Sequence, residues 1–170
     1  MATYQELRDR ADRRWQALVS GEKAWIRVGT ATCGHAAGAF QVVDALKSEL
    51  AALGIEATVS EVGCLGLCFA EPMMDIQKSG RSRLFFGNVT PDDVPRILQA
   101  YLLDDRLPPD KIAGYLGEAP IRGVKSLAEL PGMRYQQRIA LRNAGHIAPN
   151  DILQYIAQDG YAALDKALTE

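Results

Sequence analysis

The sequence lacks an excess of positive charge, a long apolar run and enough cysteine for a disulfide framework. Its 170 residues include 19 Lys and Arg against 21 Asp and Glu, which gives a net charge of −2. This balance excludes a strongly basic protein that attracts nucleic acid or anionic membranes through its overall field. No apolar stretch approaches the roughly 20 residues of a membrane-spanning helix. We therefore expect no nucleic-acid partner and no membrane insertion.

The sequence contains three cysteines, and an odd number does not fit a closed disulfide framework. The N-terminus, Met1 to Glu22, carries charged residues every few positions and is unlike a secretory signal. We therefore expect a cytoplasmic protein whose thiols serve packing, redox chemistry or metal binding. Hydrophobic residues make up 48% of the chain and charged residues 24%, which is typical of a globular protein with a sizeable core.

Periodicity predicts an α/β fold. Apolar residues spaced by three and four predict helices, and alternating patterns predict strands. The predicted helices span 1–22, 38–53 and 91–103, and the predicted strands span 24–29, 55–60, 73–77 and 84–86. The order β-α-β-β-β-α implies one parallel strand pair followed by an antiparallel hairpin. This order is typical of the thioredoxin-like layout, a four-stranded mixed sheet with flanking helices.

The sequence changes character beyond residue 105. Two adjacent prolines, Pro108 and Pro109, then Pro120 and three glycines predict a linker or extended arm. A helical pattern returns near residue 132 and predicts a helical C-terminal tail. The predicted division is an N-terminal helix at 1–22, a thioredoxin-like domain at 23–105, a linker or arm at 106–131 and the tail at 132–170. So long an arm suggests that the tail packs away from the thioredoxin-like domain.

The three cysteines follow two predicted strands. Cys33 comes after the first strand, and Cys64 and Cys68 come after the second. Because the carboxyl ends of parallel strands open at the same edge of a sheet, we expect the three thiols to meet there. Glycines beside them let backbone N–H groups approach sulfur. Spacing alone leaves other interpretations open: a free cysteine often packs as a small apolar residue, and Cys64-x3-Cys68 is not the Cys-x-x-Cys of thiol oxidoreductases.

Four motifs, in this order, resemble the thioredoxin-like [2Fe–2S] ferredoxin family. They are GTATCGHAAGA at 29–39, GCLGLC at 63–68, Glu71-Pro72 and VTPDDV at 89–94. The sequence is most similar to the N-terminal domains of NADH-binding flavoprotein subunits, found in complex-I-like NADH dehydrogenases, bifurcating hydrogenases and NAD-linked formate dehydrogenases. The resemblance implies an electron-transfer domain whose [2Fe–2S] cluster is bound by Cys33, Cys64 and Cys68. It also implies other subunits or domains of a redox complex as partners.

The sequence departs from the family pattern at one ligand. The family has four cysteines, and the one that should accompany Cys33 near the first strand is missing. His35 is the predicted substitute, because a Cys3His set resembles histidine-ligated clusters, which have raised potentials. Thr32, Asp75 or a residue of a partner are the alternatives.

Other functions stay open on the residues alone. Loss of the cluster would leave a structural or docking domain of the same subunit. A Cys3His set that includes His35 also suits structural zinc. Cys64 and Cys68 could serve as redox-sensing thiols if their pKa values were lowered. His146 has no cysteine or carboxylate nearby in sequence, and we interpret it as a structural residue.

The C-terminal tail resembles the beginning of the flavin- and NADH-binding domain of the same subunits. The matching segments are YQQRIALRNAGHI at 135–147 and YIAQDGYAAL at 155–164. The resemblance implies that FMN and NADH bind only in a downstream domain. The chain therefore looks like part of an NADH-dependent oxidoreductase, and we identify no complete active site in its sequence.

Overall fold

The computed structural model describes residues 3–169, and a five-stranded sheet in the order β2-β1-β3-β4-β5 lies at its centre. The strands are β1 (Ala24–Gly29), β2 (Ala57–Val62), β3 (Met74–Gln77), β4 (Arg83–Phe86) and β5 (Ile112–Leu116). β1 and β2 are parallel, and the other neighbours are antiparallel. The predicted mixed α/β sheet with flanking helices is confirmed, with one strand more than expected.

The helices follow the predicted order. They are α1 (Tyr4–Ser20), α2 (Thr32–Ala37), α3 (Ala39–Leu53), α4 (Val94–Leu98), α5 (Pro131–Arg134), α6 (Ile152–Ala157) and α7 (Ala162–Thr169). A 3-10 turn, Pro91–Asp93, leads into α4, and a π-helical turn, Gln99–Leu103, continues it. The predicted terminal segments also include Met1, Ala2 and Glu170, which lie outside the described residues. No helix within residues 3–169 has the length and apolar character to cross a membrane.

Capping side chains define where two of these segments begin. The Glu6 carboxylate accepts a hydrogen bond from the Thr3 N–H at 2.8 Å, and the Thr3 hydroxyl accepts one from the Glu6 N–H at 3.3 Å. Before the turn that begins at Pro91, the Asp93 carboxylate accepts a hydrogen bond from the Thr90 N–H at 2.9 Å and another from the Thr90 hydroxyl at 2.8 Å. These contacts satisfy donors that the first turn leaves free.

One face of the sheet carries the main apolar core. The α3 stripe, which includes Ala39, Val43, Leu46 and Leu50, packs on this face. α4 lies beside α3 and adds Ile97 and other apolar residues. This arrangement follows the helical periodicity, since the buried positions of α3 recur at three and four residues.

The other face of the sheet is covered by α1 and the C-terminal tail. Trp15 of α1 meets the ring of Trp25 edge-on, with ring centroids 5.4 Å apart, and its other neighbour is His146 of the tail at 5.3 Å. α6 packs against α1 through residues that include Ala11 and Ile156. The tail therefore packs on the thioredoxin-like domain, and the expectation that it lies elsewhere is wrong.

The segment 106–131, which was expected to form a linker or extended arm, supplies the fifth strand. β5 pairs with β4, and a 3-10 turn at Leu127–Glu129 folds back on it. Gly114 weakens the strand signal in the sequence, but a Cβ there would lie only 2.6 Å from Leu127 Cδ2. The glycine therefore serves close packing of Leu127 onto the strand. The boundaries of the predicted domains stay a prediction.

The tail is less helical than its sequence pattern indicates. After the short helix α5, residues 135–150 form turns and irregular structure. Asp151 caps α6 by accepting a hydrogen bond from the Leu153 N–H at 3.0 Å.

A buried ionic network lies beneath the tail. Asp75 is 3% exposed and accepts hydrogen bonds from Arg27 Nε at 2.9 Å and from Arg83 Nη2 at 2.7 Å. Arg83 also reaches the tail, at Gly145 O (2.7 Å) and His146 Nδ1 (3.2 Å). Burial alone would raise the pKa of Asp75, but the two arginines outweigh it and lower that pKa. Burial lowers the pKa of Arg27 to about 10.

We predict that Asp75→Asn lowers the free energy of unfolding by about 3–5 kcal/mol, because it leaves two buried arginines without their counter-charge. The control is Asp105→Asn. Asp105 pairs with Lys78 and Arg81 at the exposed surface, where such pairs contribute at most about 1 kcal/mol. Urea unfolding measures both changes. Equal effects of the two substitutions would contradict the role given to the buried network.

We predict that His146 makes the fold less stable in mild acid. Burial and then the charges of Arg83 and Arg27, opposed by Asp75, lower the pKa of His146 to about 4. An unfolded histidine titrates near 6.5, so between pH 6.5 and 4 the unfolded chain binds more protons and stability decreases as the pH is lowered. The slope from this group is at most about 1.4 kcal/mol per pH unit. In urea unfolding, His146→Gln should flatten this part of the pH profile, and an unchanged profile would contradict the role given to His146.

Candidate metal centre

The three cysteines lie at the edge of the sheet where β1 and β2 end. Cys33 lies in the first turn of α2, directly after β1, and Cys64 and Cys68 follow β2. The two loops are joined by a hydrogen bond from the Thr30 N–H to Val62 O at 3.0 Å. We call this region the cysteine edge, defined by Cys33, Cys64 and Cys68. The parallel pairing of β1 with β2 places residues about 30 positions apart in sequence side by side.

Two thiols of the cysteine edge contact one another, since the sulfur atoms of Cys64 and Cys68 are 3.8 Å apart. All three are free thiols, and Cys68 is the exposed one. The neighbouring Cys33 thiol is the largest cause of the raised pKa of Cys68. The two loops therefore bring three cysteines to one edge of the sheet. In their thiolate form, cysteines are preferred ligands of redox cofactors and of metals.

Backbone and carboxylate groups shape the charge around Cys64. The Gly66 N–H donates a hydrogen bond to Cys64 Sγ at 3.1 Å, and Gly66 has the left-handed φ of +91° that favours glycine. Burial raises the pKa of the Cys64 thiol; Gly66 opposes this, while Cys68 and Glu71 add to it. Gly66 therefore brings an amide donor to the Cys64 sulfur, as the glycines near the cysteines predict.

Sequence reasoning did not single out Glu71 as a site residue. Its side chain is buried, and the Met73 N–H donates to Oε2 at 2.7 Å. A Cβ on Gly29 would lie 3.0 Å from Glu71 Oε1, and one on Gly34 would lie 3.3 Å from Oε2. Burial raises the pKa of Glu71, and the Met73 N–H and the Cys64 thiol oppose that rise. The carboxylate therefore fills the space between the Cys33 loop and Cys64. The only sequence signal was its place in the Glu71-Pro72 motif.

His35 lies on α2 with its side chain exposed. Its ring packs edge-on against Phe40, with ring centroids 4.9 Å apart. Within residues 3–169, no three His, Cys, Asp or Glu side chains are arranged to hold a single metal ion. Ligation by His35 therefore stays a prediction.

The C-terminal tail forms a wall of the site. Arg138 donates hydrogen bonds to Cys64 O and to Ala144 O, both at 3.2 Å. Gly145 packs so closely on Leu65 that a Cβ there would lie 2.6 Å from Leu65 Cγ. The loop that carries Cys64 is thus held between the sheet and the tail, a contact that sequence periodicity does not reveal.

Comparison with known proteins identifies relatives of this chain. The sequence model of the family described as thioredoxin-like [2Fe-2S] ferredoxin matches residues 18–102. A curated relative is the NADP-reducing hydrogenase subunit HndB of Solidesulfovibrio fructosivorans, which is 29% identical over 108 residues. That alignment covers 61% of this chain and 86% of HndB.

Solved structures of thioredoxin-like [2Fe-2S] ferredoxin from Aquifex aeolicus are also similar. One has a TM-score of 0.49 and 17% identity, and it covers 58% of this chain and 96% of the ferredoxin. Another, the wild-type protein at 1.5 Å resolution, has a TM-score of 0.45 and 18% identity, with 57% and 99% of the two chains covered.

We predict that Gly34→Ala disrupts the cysteine edge. The new Cβ would lie 1.9 Å from Gly29 O and 3.3 Å from Glu71 Oε2, so the loop after β1 must move. Such overpacking costs about 1–3 kcal/mol, measured as the loss in the free energy of unfolding. Gly132→Ala is the control, because a Cβ at Gly132 meets no atom within 4 Å. A variant Gly34→Ala as stable as wild type would show that this loop is not packed as described.

Proposed function

This chain belongs to the thioredoxin-like [2Fe–2S] ferredoxin family, and we propose that it is an electron-transfer domain that binds a [2Fe–2S] cluster at the cysteine edge. The observation that carries the proposal is the placement of thiols from two separate loops at one edge of the sheet: Cys33 follows β1, and Cys64 and Cys68, whose sulfur atoms are 3.8 Å apart, follow β2. Thiolates are the ligands that iron–sulfur clusters prefer.

The chemistry of the donor groups fits such a cluster. A [2Fe–2S] cluster contains two irons, each with its own protein ligands, so its ligands do not have to converge on one point as they do around a single ion. Three thiols, a nearby carboxylate and an amide donor to sulfur are present at the cysteine edge. Hydrogen bonds to sulfur and exposure to solvent are among the factors that set the potential of a bound cluster.

The residues around the cysteine edge divide it into an inner and an outer side. Leu65, Leu67, Met73 and Phe85 are buried in an apolar group beneath it, which excludes water from that side. Cys68 and its neighbour Phe69 are exposed. A bound cluster supplies one-electron chemistry, and the chain supplies its position near the surface, where a redox partner can approach.

We further propose that the partners are other subunits or domains of an NAD(P)H-linked redox enzyme, of hydrogenase, formate dehydrogenase or NADH dehydrogenase type. The similarity to the hydrogenase subunit HndB supports the first type. FMN and NADH would bind in a separate domain or subunit. Free thiols also suit the reducing cytoplasm, which is the location that we propose.

We predict that the purified chain, after anaerobic reconstitution with iron and sulfide, holds about two irons and two sulfides and shows visible charge-transfer bands that dithionite bleaches. Replacing Cys33, Cys64 or Cys68 by Ser should sharply lower the bound iron, because each change removes a thiolate. Metal analysis and absorption spectra measure both results.

The matched control adds a thiol elsewhere. Ser48 lies on the exposed side of α3, so the double variant Cys33→Ser/Ser48→Cys keeps three thiols but not their arrangement. It should bind as little iron as Cys33→Ser alone. Stoichiometric zinc without colour would favour a structural zinc site, and a metal-free chain after reconstitution would leave a docking domain.

A further inference from the structure

We propose that the carboxylate of Glu71 is the fourth protein ligand of the cluster, in place of the missing cysteine. The inference rests on the proposed function, because it assigns a ligand to the cluster proposed at the cysteine edge. It differs from the sequence prediction, which chose His35.

Position is the first argument. The Glu71 carboxylate lies against the backbone on both sides of the Cys33 loop, at 3.0 Å from a Cβ built on Gly29 and 3.3 Å from one built on Gly34. The carboxylate therefore lies next to the Cys33 loop. This loop contains one thiol, whereas the family pattern places two cluster ligands there.

Unbalanced charge is the second argument. Glu71 is 8% exposed, and within residues 3–169 no Lys or Arg forms an ion pair with it. Asp75, the other buried carboxylate nearby, is fully engaged, since Arg27 and Arg83 bind both of its oxygens. A buried carboxylate that stays ionised needs a cation or a metal as its partner, and without one its pKa rises, as burial raises that of Glu71. Ferric or ferrous iron would supply that positive charge to Glu71.

The suitability of a carboxylate as an iron ligand, compared with the imidazole of His35, is the third argument. Carboxylate oxygen is a recognised ligand of iron in proteins, although softer thiolates dominate iron–sulfur sites. His35 is exposed and its ring packs on Phe40, so nothing holds the imidazole towards the thiols. Glu71 is held beside the Cys33 loop, because the Met73 N–H fixes one of its oxygens at 2.7 Å.

The test compares Glu71→Gln with wild type after anaerobic reconstitution with iron and sulfide. The amide can still accept the hydrogen bond from the Met73 N–H, but it is a poor iron ligand. We expect iron release to a chelator to be at least about tenfold faster in Glu71→Gln, and the EPR g values of any remaining reduced cluster to change. Glu61→Gln, the same change on β2, and His35→Ala should match wild type.

Two further measurements separate ligation from structural damage. The unfolding midpoint of metal-free Glu71→Gln should equal or exceed that of metal-free wild type, since the change removes a buried charge. Pulsed EPR of the wild-type cluster should show no strongly coupled nitrogen from an imidazole.

Two results would overturn the assignment of Glu71 as a ligand and leave the proposed function standing. In the first, Glu71→Gln keeps the iron content, release rate and g values of wild type. In the second, the wild-type cluster shows a strong nitrogen coupling that disappears in His35→Ala. A wild-type chain that forms no cluster at all overturns the proposed function, and the assignment with it.

Discussion

Strand β1 pairs with β2 in parallel, and the position of the three cysteines depends on this pairing. It brings the loop of Cys33 beside the loop of Cys64 and Cys68, and a hydrogen bond from the Thr30 N–H to Val62 O ties the two loops together. Strand β3, which pairs with β1 in antiparallel, begins two residues after Pro72, so Glu71 lies at the same edge of the sheet. Three chain segments thus reach one edge, two through the parallel pair and the third through the antiparallel pairing of β3 with β1.

The sheet itself depends on what covers its second face. That face carries Arg27, Asp75 and Arg83, in which Asp75 pairs with both arginines, and an apolar cover would leave the remaining donors of Arg83 without acceptors. The tail resolves this by offering Gly145 O and His146 Nδ1 to Arg83. The same stretch of tail packs on the loop that carries Cys64, so the buried ionic network and the candidate site share one cover.

The sequence was sufficient for the parts of the structure that local pattern controls. The stripe of α3, the parallel strand pair followed by a hairpin, and the position of Cys33 after the first strand all follow from periodicity and chain order. It was not sufficient where one segment packs on a distant one. Gly114 looks like a strand breaker until Leu127 is seen against it, and Glu71 looks like a loop carboxylate until its burial is seen. Such contacts leave no period in a single sequence.

The most direct test of this account is a Mössbauer spectrum of the whole chain reconstituted with 57Fe. If the cysteine edge binds a [2Fe–2S] cluster with three thiolates and one oxygen ligand, the oxidised protein should be diamagnetic at low temperature. It should then show two quadrupole doublets of equal area, because the two irons have different ligands. A spectrum of mononuclear iron, or the absence of bound iron, would contradict the proposal that the cysteine edge binds a [2Fe–2S] cluster.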